Sequence, residues 1–214
     1  IRKFIRYLLG CNVGEVLTMF LAAVAGLPLP LLPIQILWMN LVTDGLPAMA
    51  LSVDPGDEDI MKRPPRPAKE GIFARGLHIR IAAQGTLIGI ATLAVFLLEL
   101  GLGSGALDIA RTMAFTTLVL SQLLFVFQCR SEEHRVWEIE LLGNPWLVAA
   151  VCLSILAQLC VIYIPALQPI FNTVALSWGQ WAVVGFFSGW CATFADVVYH
   201  LGRRAKRRFT WVRV

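Results

Sequence analysis

The chain has 214 residues, of which 57% are hydrophobic and only 15% are charged, and its mean hydropathy is +0.71. Because a soluble domain carries about 25% charged residues, this composition excludes an ordinary soluble protein and indicates an integral membrane protein. The net charge is +4, but the basic residues flank apolar segments, so we expect a lipid bilayer and no nucleic acid as the partner.

Six apolar segments are long enough to cross a bilayer, which takes about 20 residues of α-helix. In chain order they are Ile5–Leu27, Ile34–Val53, Ile79–Leu100, Ala110–Cys129, Trp146–Leu167 and Trp178–His200. Consecutive segments paired through short connections predict three helical hairpins. The predicted fold class is therefore all-α integral membrane, with residues 1–214 forming one membrane domain.

Lysine and arginine lie on one side of the predicted spans. They precede the first span, fill the long connection after the second, and follow the fourth and the sixth. The opposite connections have none, apart from Arg111 at a span edge. Because basic loops stay in the cytoplasm, we predict that both termini and the loop Asp54–His78 are cytoplasmic. This loop is acidic first, then basic and proline-rich, so we expect it to be extended and ordered.

Small residues inside the spans suggest packing roles. Two glycine pairs have GxxxG spacing, Gly85–Gly89 and Gly185–Gly189, which indicates either close helix contact or a chance pair. The odd number and the spacing of the cysteines fit neither a disulfide framework nor a zinc site. We expect them to be small packing residues: Cys11, Cys129, Cys152, Cys160 and Cys191.

Five polar residues inside the first two spans are unexpected in hydrocarbon. The first span contains "CNVGEVL", which puts Asn12 and Glu15 three residues apart and so on one helix face. The second contains "NLVTDGLP", in which Asn40, Thr43 and Asp44 again share a face. An ionised carboxylate at the bilayer centre costs roughly 2.5 to 3.5 kcal/mol even on the mildest scale. Because spans joined by a short loop are antiparallel neighbours, we expect the two polar faces to meet away from lipid.

The oxygen atoms on these two faces predict a site for a hard cation. Calcium accepts about six to eight oxygen ligands, whereas transition metals prefer His or Cys. Pro47 lacks an N–H and should loosen the helix around Thr43, which frees carbonyl groups at membrane depth. Gln122, in "LVLSQLL" of the fourth span, either faces the same cavity or is a packing amide. Two other interpretations stay open: interhelical hydrogen bonding with both carboxylates protonated, and a proton relay through the same residues.

Three motifs in fixed order carry a family resemblance. "NVGEV", "LPIQILWMNLVTDGLPAMAL" and "DIMKRPPR" resemble the C-terminal membrane region of P-type cation ATPases, the closest type being calcium pumps of the sarco/endoplasmic-reticulum kind and their bacterial relatives. The similarity is densest over Arg2–Arg66. It implies that the six spans correspond to the fifth to tenth transmembrane helices of such a pump, in a bacterial plasma membrane. Heavy-metal pumps carry a Cys-Pro motif that is absent here, and sodium/potassium pumps usually have Asp in place of Asn40, so the resemblance favours calcium.

The resemblance also implies which residues bind the transported calcium: Asn12, Glu15, Asn40, Thr43 and Asp44, with Gln122 where two-calcium pumps have a glutamate. An amide at that position supplies an oxygen without a charge, which leaves open whether one or two calcium ions bind. The loop Asp54–His78 is implied to contact the phosphorylation domain of the pump.

Other parts of such a pump are not found in these 214 residues. The "DKTGT" phosphorylation motif, the nucleotide domain, the actuator domain and the first four helices are expected partners from a parent protein that uses ATP and magnesium. We therefore expect a piece of a longer polypeptide with no catalytic and no cofactor-binding residue of its own. Alternative functions are a proton- or sodium-coupled secondary carrier, a fragment of a sodium- or proton-type P-type pump, and a purely structural membrane subunit.

Overall fold

The computed structural model of the protein describes residues 1–56, 67, 71–74, 76–102, 106–131 and 143–210, with the side chains of the last helix described through Phe194. Within these ranges the regular structure is entirely helical, so the predicted all-α class is confirmed there. A π-helical segment, Met39–Thr43, joins the second helix to the third. The α-helices are α1 (Arg2–Val24), α2 (Pro33–Trp38), α3 (Gly45–Ser52), α4 (Leu77–Leu102), α5 (Leu107–Gln128), α6 (Pro145–Tyr163), α7 (Gln168–Phe171) and α8 (Trp178–Thr210).

Five of the predicted spans are confirmed as helices that are long and apolar enough to cross a bilayer. In the described residues these are Arg2–Val24, Pro33–Ser52, Leu77–Gly101, Leu107–Gln128 and Pro145–Tyr163. The second of them consists of α2, the π segment and α3 in succession. The sixth predicted span falls on α8, part of whose side chains lie outside the described residues, and it stays a prediction.

Two element boundaries differ from the predicted ones by a few residues. The fifth span ends at Tyr163 and not at Leu167, because Ile164 precedes a proline and takes an extended conformation with ψ 116°. The cytoplasmic loop was predicted to include His78, but α4 begins one residue earlier, at Leu77. Most of that loop lies outside the described residues.

The helices pack around α5 and α4 at the centre of the bundle. α1 packs mainly against α4, and α8 packs against both α4 and α5. α6 lies against α3 and the π segment. Consequently α4 and α5 form a packed hairpin as predicted, whereas the last two spans, in their described parts, pack against different neighbours. The buried centre includes aromatic side chains from α1 and α5: Tyr7, Phe115 and Phe125.

Glycine allows α1 and α4 to touch at their backbones. A Cβ atom added to Gly85 would lie 3.0 Å from the Gly10 carbonyl oxygen, and one added to Gly89 would lie 3.2 Å from the Gly14 carbonyl oxygen. The predicted packing role of the Gly85–Gly89 pair is therefore confirmed, and its partner is a second pair on α1. At Gly185 and Gly189, an added Cβ would meet no described atom within 4 Å, so this pair makes no such contact.

The cysteines divide into two groups. Cys11, Cys129 and Cys191 are buried in the bundle, as predicted for packing residues. Cys152 and Cys160 are exposed on α6, so for these two the predicted packing role is wrong. They lie away from the buried stripe of this apolar helix.

Candidate cation site

The π segment interrupts the second membrane span at the depth of its polar residues. Its defining hydrogen bond runs from the backbone N–H of Asp44 to the carbonyl of Met39, five residues earlier, at 2.8 Å. Pro47 has no N–H to donate to the carbonyl of Thr43, so regular α-helical pairing is broken at this point. The predicted loosening around Thr43 thus takes the form of a π bulge, a feature that is common at functional sites.

Glu15 on α1 connects three parts of the bundle. Its side chain is 3% exposed, and each carboxylate oxygen accepts one hydrogen bond from an amide. Gln122 Nε2 on α5 donates to Oε1 at 2.9 Å, and Asn40 Nδ2 on the π segment donates to Oε2 at 3.0 Å. Two amide residues that lie far apart in the sequence therefore converge on one buried acidic group, and the contact between Glu15 and Asn40 is the one that was predicted.

Asp44 is fully buried beside this cluster. Its Oδ1 atom accepts a hydrogen bond from the Tyr7 hydroxyl at 3.2 Å, and its Oδ2 atom has no partner among the described residues. Tyr7 was not predicted from the sequence. It precedes Glu15 by eight residues, with Cys11 midway, and the four-residue spacing places all three on one face of α1. This spacing is the sequence feature from which Tyr7 could have been predicted.

Two further predicted residues occupy different positions. Asn12 is exposed, and its Nδ2 atom donates to the carbonyl of Leu8 on its own helix at 2.8 Å, so the structure does not bring it to Glu15. Thr43 is fully buried, but its hydroxyl donates to the carbonyl of Met39 at 3.3 Å. The interacting cluster thus consists of Glu15, Asn40 and Gln122, with Asp44 and Tyr7 alongside.

The ligand set of this cluster is made of oxygen atoms. Among the described residues, no group of three or more His, Cys, Asp or Glu side chains is placed to hold a metal ion. Two carboxylates and two amides remain, together with the backbone carbonyls of the π segment. Because Asn40 and Gln122 can turn either the NH₂ or the C=O end of the amide inward, both could replace their hydrogen bonds by bonds to a cation. This chemistry fits a hard cation whose remaining ligands come from elsewhere.

A second polar cluster lies at the end of the span, around Asp54. Lys3 Nζ binds Oδ2 at 2.7 Å, while Arg130 Nε and Asn144 Nδ2 bind Oδ1 at 3.0 Å and 2.9 Å. Asn144 Nδ2 also donates to the Ala50 carbonyl at 3.1 Å. The Asp54 side chain is 2% exposed. One carboxylate thus ties together the start of α1, the end of α3, the end of α5 and the start of α6.

The electrostatics of Asp54 follow from these partners. Burial raises the pKa of the Asp54 carboxyl, but hydrogen bonds from Lys3 and Asn144 and the positive charges of Lys3 and Arg130 outweigh it. The pKa of Asp54 therefore lies below its ordinary value of 3.8. The carboxylate is held in its charged form by groups from three helices.

The other basic residues at the start of α1 also hold the bundle together. Arg6 donates from one guanidinium nitrogen to the carbonyl of Gln128, the last residue of α5, at 3.0 Å and to the carbonyl of Ser131, just beyond the helix, at 3.2 Å. Arg2 donates to the carbonyl of Ala74 at 3.2 Å. A cation is favourable at a helix C-terminus, so Arg6 stabilises the end of α5.

A surface groove of about 330 Å³ separates α3 from α6. It lies apart from Glu15 and Asp44 and presents almost no polar surface, so it offers no ligand to a cation. Its lining residues are Leu46, Ala50, Val53, Trp146, Ala149, Ala150 and Leu153.

The chain is similar to known cation-transporting proteins. Residues 28–200 match the family described as "Cation transporting ATPase, C-terminus". The chain is 55% identical over 184 residues to the calcium-transporting ATPase of Bacillus subtilis (strain 168), an alignment that covers 86% of this chain and 21% of the relative.

More distant relatives carry similar names. The chain is 41% identical over 199 residues to calcium-transporting ATPase 1 of Bacillus cereus, covering 86% of this chain and 22% of the relative. It is 32% identical over 233 aligned residues to an endoplasmic reticulum calcium ATPase of Aspergillus fumigatus, covering 95% of this chain and 24% of the relative. The chain thus spans between 21% and 24% of the length of these relatives.

Proposed function

Because this chain belongs to the family of cation-transporting ATPase C-terminal regions, we propose that it supplies part of the intramembrane calcium site of an ATP-driven pump. The observation that carries the proposal is Glu15, buried in the span and bonded at both carboxylate oxygens by amides from the π segment and α5. A buried acidic group held by rotatable amides from two other elements can exchange those bonds for a cation.

The ligands we assign to the transported ion are the predicted set. Glu15 and Asp44 supply the negative charge, and the two carboxylates together balance one divalent cation. Neutral oxygens come from the amides and the hydroxyl: Asn12, Asn40, Thr43 and Gln122. Asn12 would join the set by turning away from the Leu8 carbonyl, or through contact with a helix outside this chain. The family of the chain and the names of its relatives favour calcium over a carrier of protons or sodium.

Coupling to ATP is assigned to the cytoplasmic side. We assign the loop Asp54–His78 to contact with the phosphorylation domain of the parent protein, in which ATP and magnesium would act. Asp54 begins this loop and is bonded to α1, α5 and α6, so a displacement of the loop would be transmitted to the helix that carries Glu15.

We assign a membrane arrangement that corresponds to the fifth to tenth helices of a P-type pump, with six spans and both termini in the cytoplasm of a bacterium. The sixth span is residues 178–200 of α8. Cysteine-accessibility labelling of the full-length protein tests this: positions 104 and 172 should react from outside, and position 69 from the cytoplasm. Labelling of positions 69 and 172 from the same side would contradict it.

Ion selectivity tests the proposed function itself. Inverted membrane vesicles containing the full-length protein should accumulate ⁴⁵Ca²⁺ when ATP is supplied, with no accumulation before ATP is added. ATP-dependent phosphorylation should require calcium and not be supported by sodium or zinc alone. Uptake driven by a proton or sodium gradient in the absence of ATP would identify a carrier and contradict the proposal.

A further inference from the structure

The face of α6 that points into the bundle carries polar atoms without partners. Ser154 Oγ, Gln158 Nε2 and Gln158 Oε1 form no hydrogen bond with any described residue. Ser154 is fully buried and Gln158 is 1% exposed. They are four residues apart, so they lie one above the other on the buried stripe of the helix. A buried polar group without a hydrogen bond lowers stability, so we expect these atoms to have a binding partner.

Two contacts show how α6 runs relative to its neighbours and which residues are level with Ser154 and Gln158. At the start of α6, Asn144 donates to the Ala50 carbonyl, and beyond its end Phe171 packs against Trp38 with ring centroids 5.0 Å apart. α6 therefore runs antiparallel to α2, the π segment and α3, and it packs directly against the π segment. Since a helix rises about 1.5 Å per residue, Ser154 and Gln158 are level with the π segment and Trp38.

Trp38 adds a third unpartnered group at this contact. Its indole Nε1 atom is buried and has no hydrogen-bond partner among the described residues. Trp38 precedes Asn40 by two residues, which is a rotation of about 200° around a helix. The indole therefore faces away from the side on which Asn40 contacts Glu15, and it packs against Phe171 of α7, a helix that contacts both α2 and α6.

The unpartnered atoms of Ser154, Gln158 and Trp38 include both hydrogen-bond donors and acceptors, and this indicates which kind of ligand they bind. A cation would bind the oxygens of Ser154 and Gln158 but would meet the N–H groups of Gln158 and Trp38. An anion would bind the N–H groups but would meet the amide oxygen. Water donates and accepts, and a buried water is stable where two to four polar groups surround it, about the number here. We propose that Ser154, Gln158 and Trp38 form an internal water site between α6 and the junction of α2 with the π segment, on the side away from Glu15.

Such a site has a mechanical consequence. The π segment already lacks one backbone pairing because of Pro47, and α6 would contact it through water in place of fixed side-chain bonds. A bound water exchanges partners at little cost in free energy. The segment that carries Asn40 could then shift against α6 without breaking protein–protein hydrogen bonds.

Water contact at the Trp38 indole tests the site directly. The full 214-residue chain, labelled with ¹⁵N at tryptophan and placed in lipid nanodiscs, gives one indole N–H signal for each tryptophan. The Trp38→Phe variant identifies the Trp38 signal. We expect cross-relaxation between this N–H and water, loss of it in Gln158→Met, and no change in Ser188→Ala. Ser188 is the control because it is buried on α8 and donates to the Thr117 carbonyl at 3.2 Å.

Three results would overturn the proposal. The first is an absence of cross-relaxation with water at Trp38 in the unmodified chain, which needs no variant to fold. The second is unchanged cross-relaxation between water and the Trp38 N–H in Gln158→Met, or in Ser154→Ala if Gln158→Met does not fold. The third is displacement of the water signal by potassium or sodium chloride, which would identify the occupant as a cation.

Discussion

Gln122 on α5 donates its side-chain NH₂ group to Glu15 Oε1 on α1 across 2.9 Å. The pair joins two helices at the buried carboxylate. In the full-length protein, Gln122→Ala should weaken the apparent calcium affinity by roughly tenfold, because it removes a proposed oxygen ligand of the ion and a polar contact to a charged group contributes about 1.5 kcal/mol at the low end.

Gln128→Ala is the matched control for this prediction. Gln128 lies on the same helix, but its amide donates to the Ala192 carbonyl at 2.6 Å. Calcium-activated ATP hydrolysis, titrated with free calcium, should therefore be unchanged in the control. Equal affinity losses in the two variants would show that the contact with Glu15 is not specific to the ion site.

The Asp54 cluster should make stability depend on pH at the acidic end. The pKa of Asp54 is lower in the folded chain than its ordinary value of 3.8. The cluster therefore stabilises the fold fully above that value and loses its contribution as the pH falls through the lower, folded pKa. Thermal unfolding temperatures of the chain in detergent should be steady from pH 7 to about 5 and should fall below the ordinary pKa.

Substitutions distinguish how much each of the two ion pairs, Asp54–Arg130 and Asp54–Lys3, contributes to stability. Arg130 is 6% exposed, so Asp54→Ala leaves a buried charge and should destabilise by about 3–5 kcal/mol. Lys3 is 23% exposed, so Lys3→Met should cost about 1 kcal/mol or less. Unfolding temperatures at pH 7 should show this order, and a larger effect of Lys3→Met would refute the assignment of Arg130 as the buried partner.

The two glycine pairs should respond in opposite ways to a methyl group. In Gly85→Ala the new Cβ would lie 2.6 Å from Val13 Cβ and 3.0 Å from a backbone oxygen of α1. We expect a loss of about 1–3 kcal/mol, as for an overpacked core. Gly185→Ala meets no described atom within 4 Å and should be neutral or slightly stabilising, because alanine favours helix more than glycine does. Thermal unfolding in nanodiscs measures both, and equal effects would contradict the packing assigned to α4.

Much of this architecture follows from the sequence by simple physics. Five spans are confirmed by length and apolarity, and the resemblance to the C-terminal region of P-type calcium pumps is confirmed by the family match and the relatives. Glu15 and Asn40 were predicted to meet because hydrocarbon penalises a polar face on either helix alone. It was harder to predict which residues of the polar face are buried. Asn12 is three residues from Glu15, yet Asn12 is exposed while Glu15 is buried.

Other features depend on contacts that spacing along the sequence does not reveal. The sequence analysis identified Asp54 only as the start of the cytoplasmic loop, but Asp54 pairs with Lys3 and Arg130, which the fold brings in from distant parts of the chain. Gly85 and Gly185 have the same GxxxG pattern, and only the packing of α4 against α1 tells them apart. Pro47 predicted a break in helical pairing, but the tertiary setting determined that the break is a π bulge.

Asp44 gives the most direct test of the proposal that Asp44 and Glu15 hold the transported cation. Asp44→Asn keeps the shape of the fully buried side chain beside Tyr7 and one of its oxygens, but it removes the carboxylate that would balance the charge of the cation. The measurement is calcium-activated phosphoenzyme formation from ATP in the full-length variant. We expect that calcium no longer activates phosphorylation in Asp44→Asn, whereas Gln128→Ala behaves like the unmodified protein. Wild-type calcium affinity in Asp44→Asn would contradict the site.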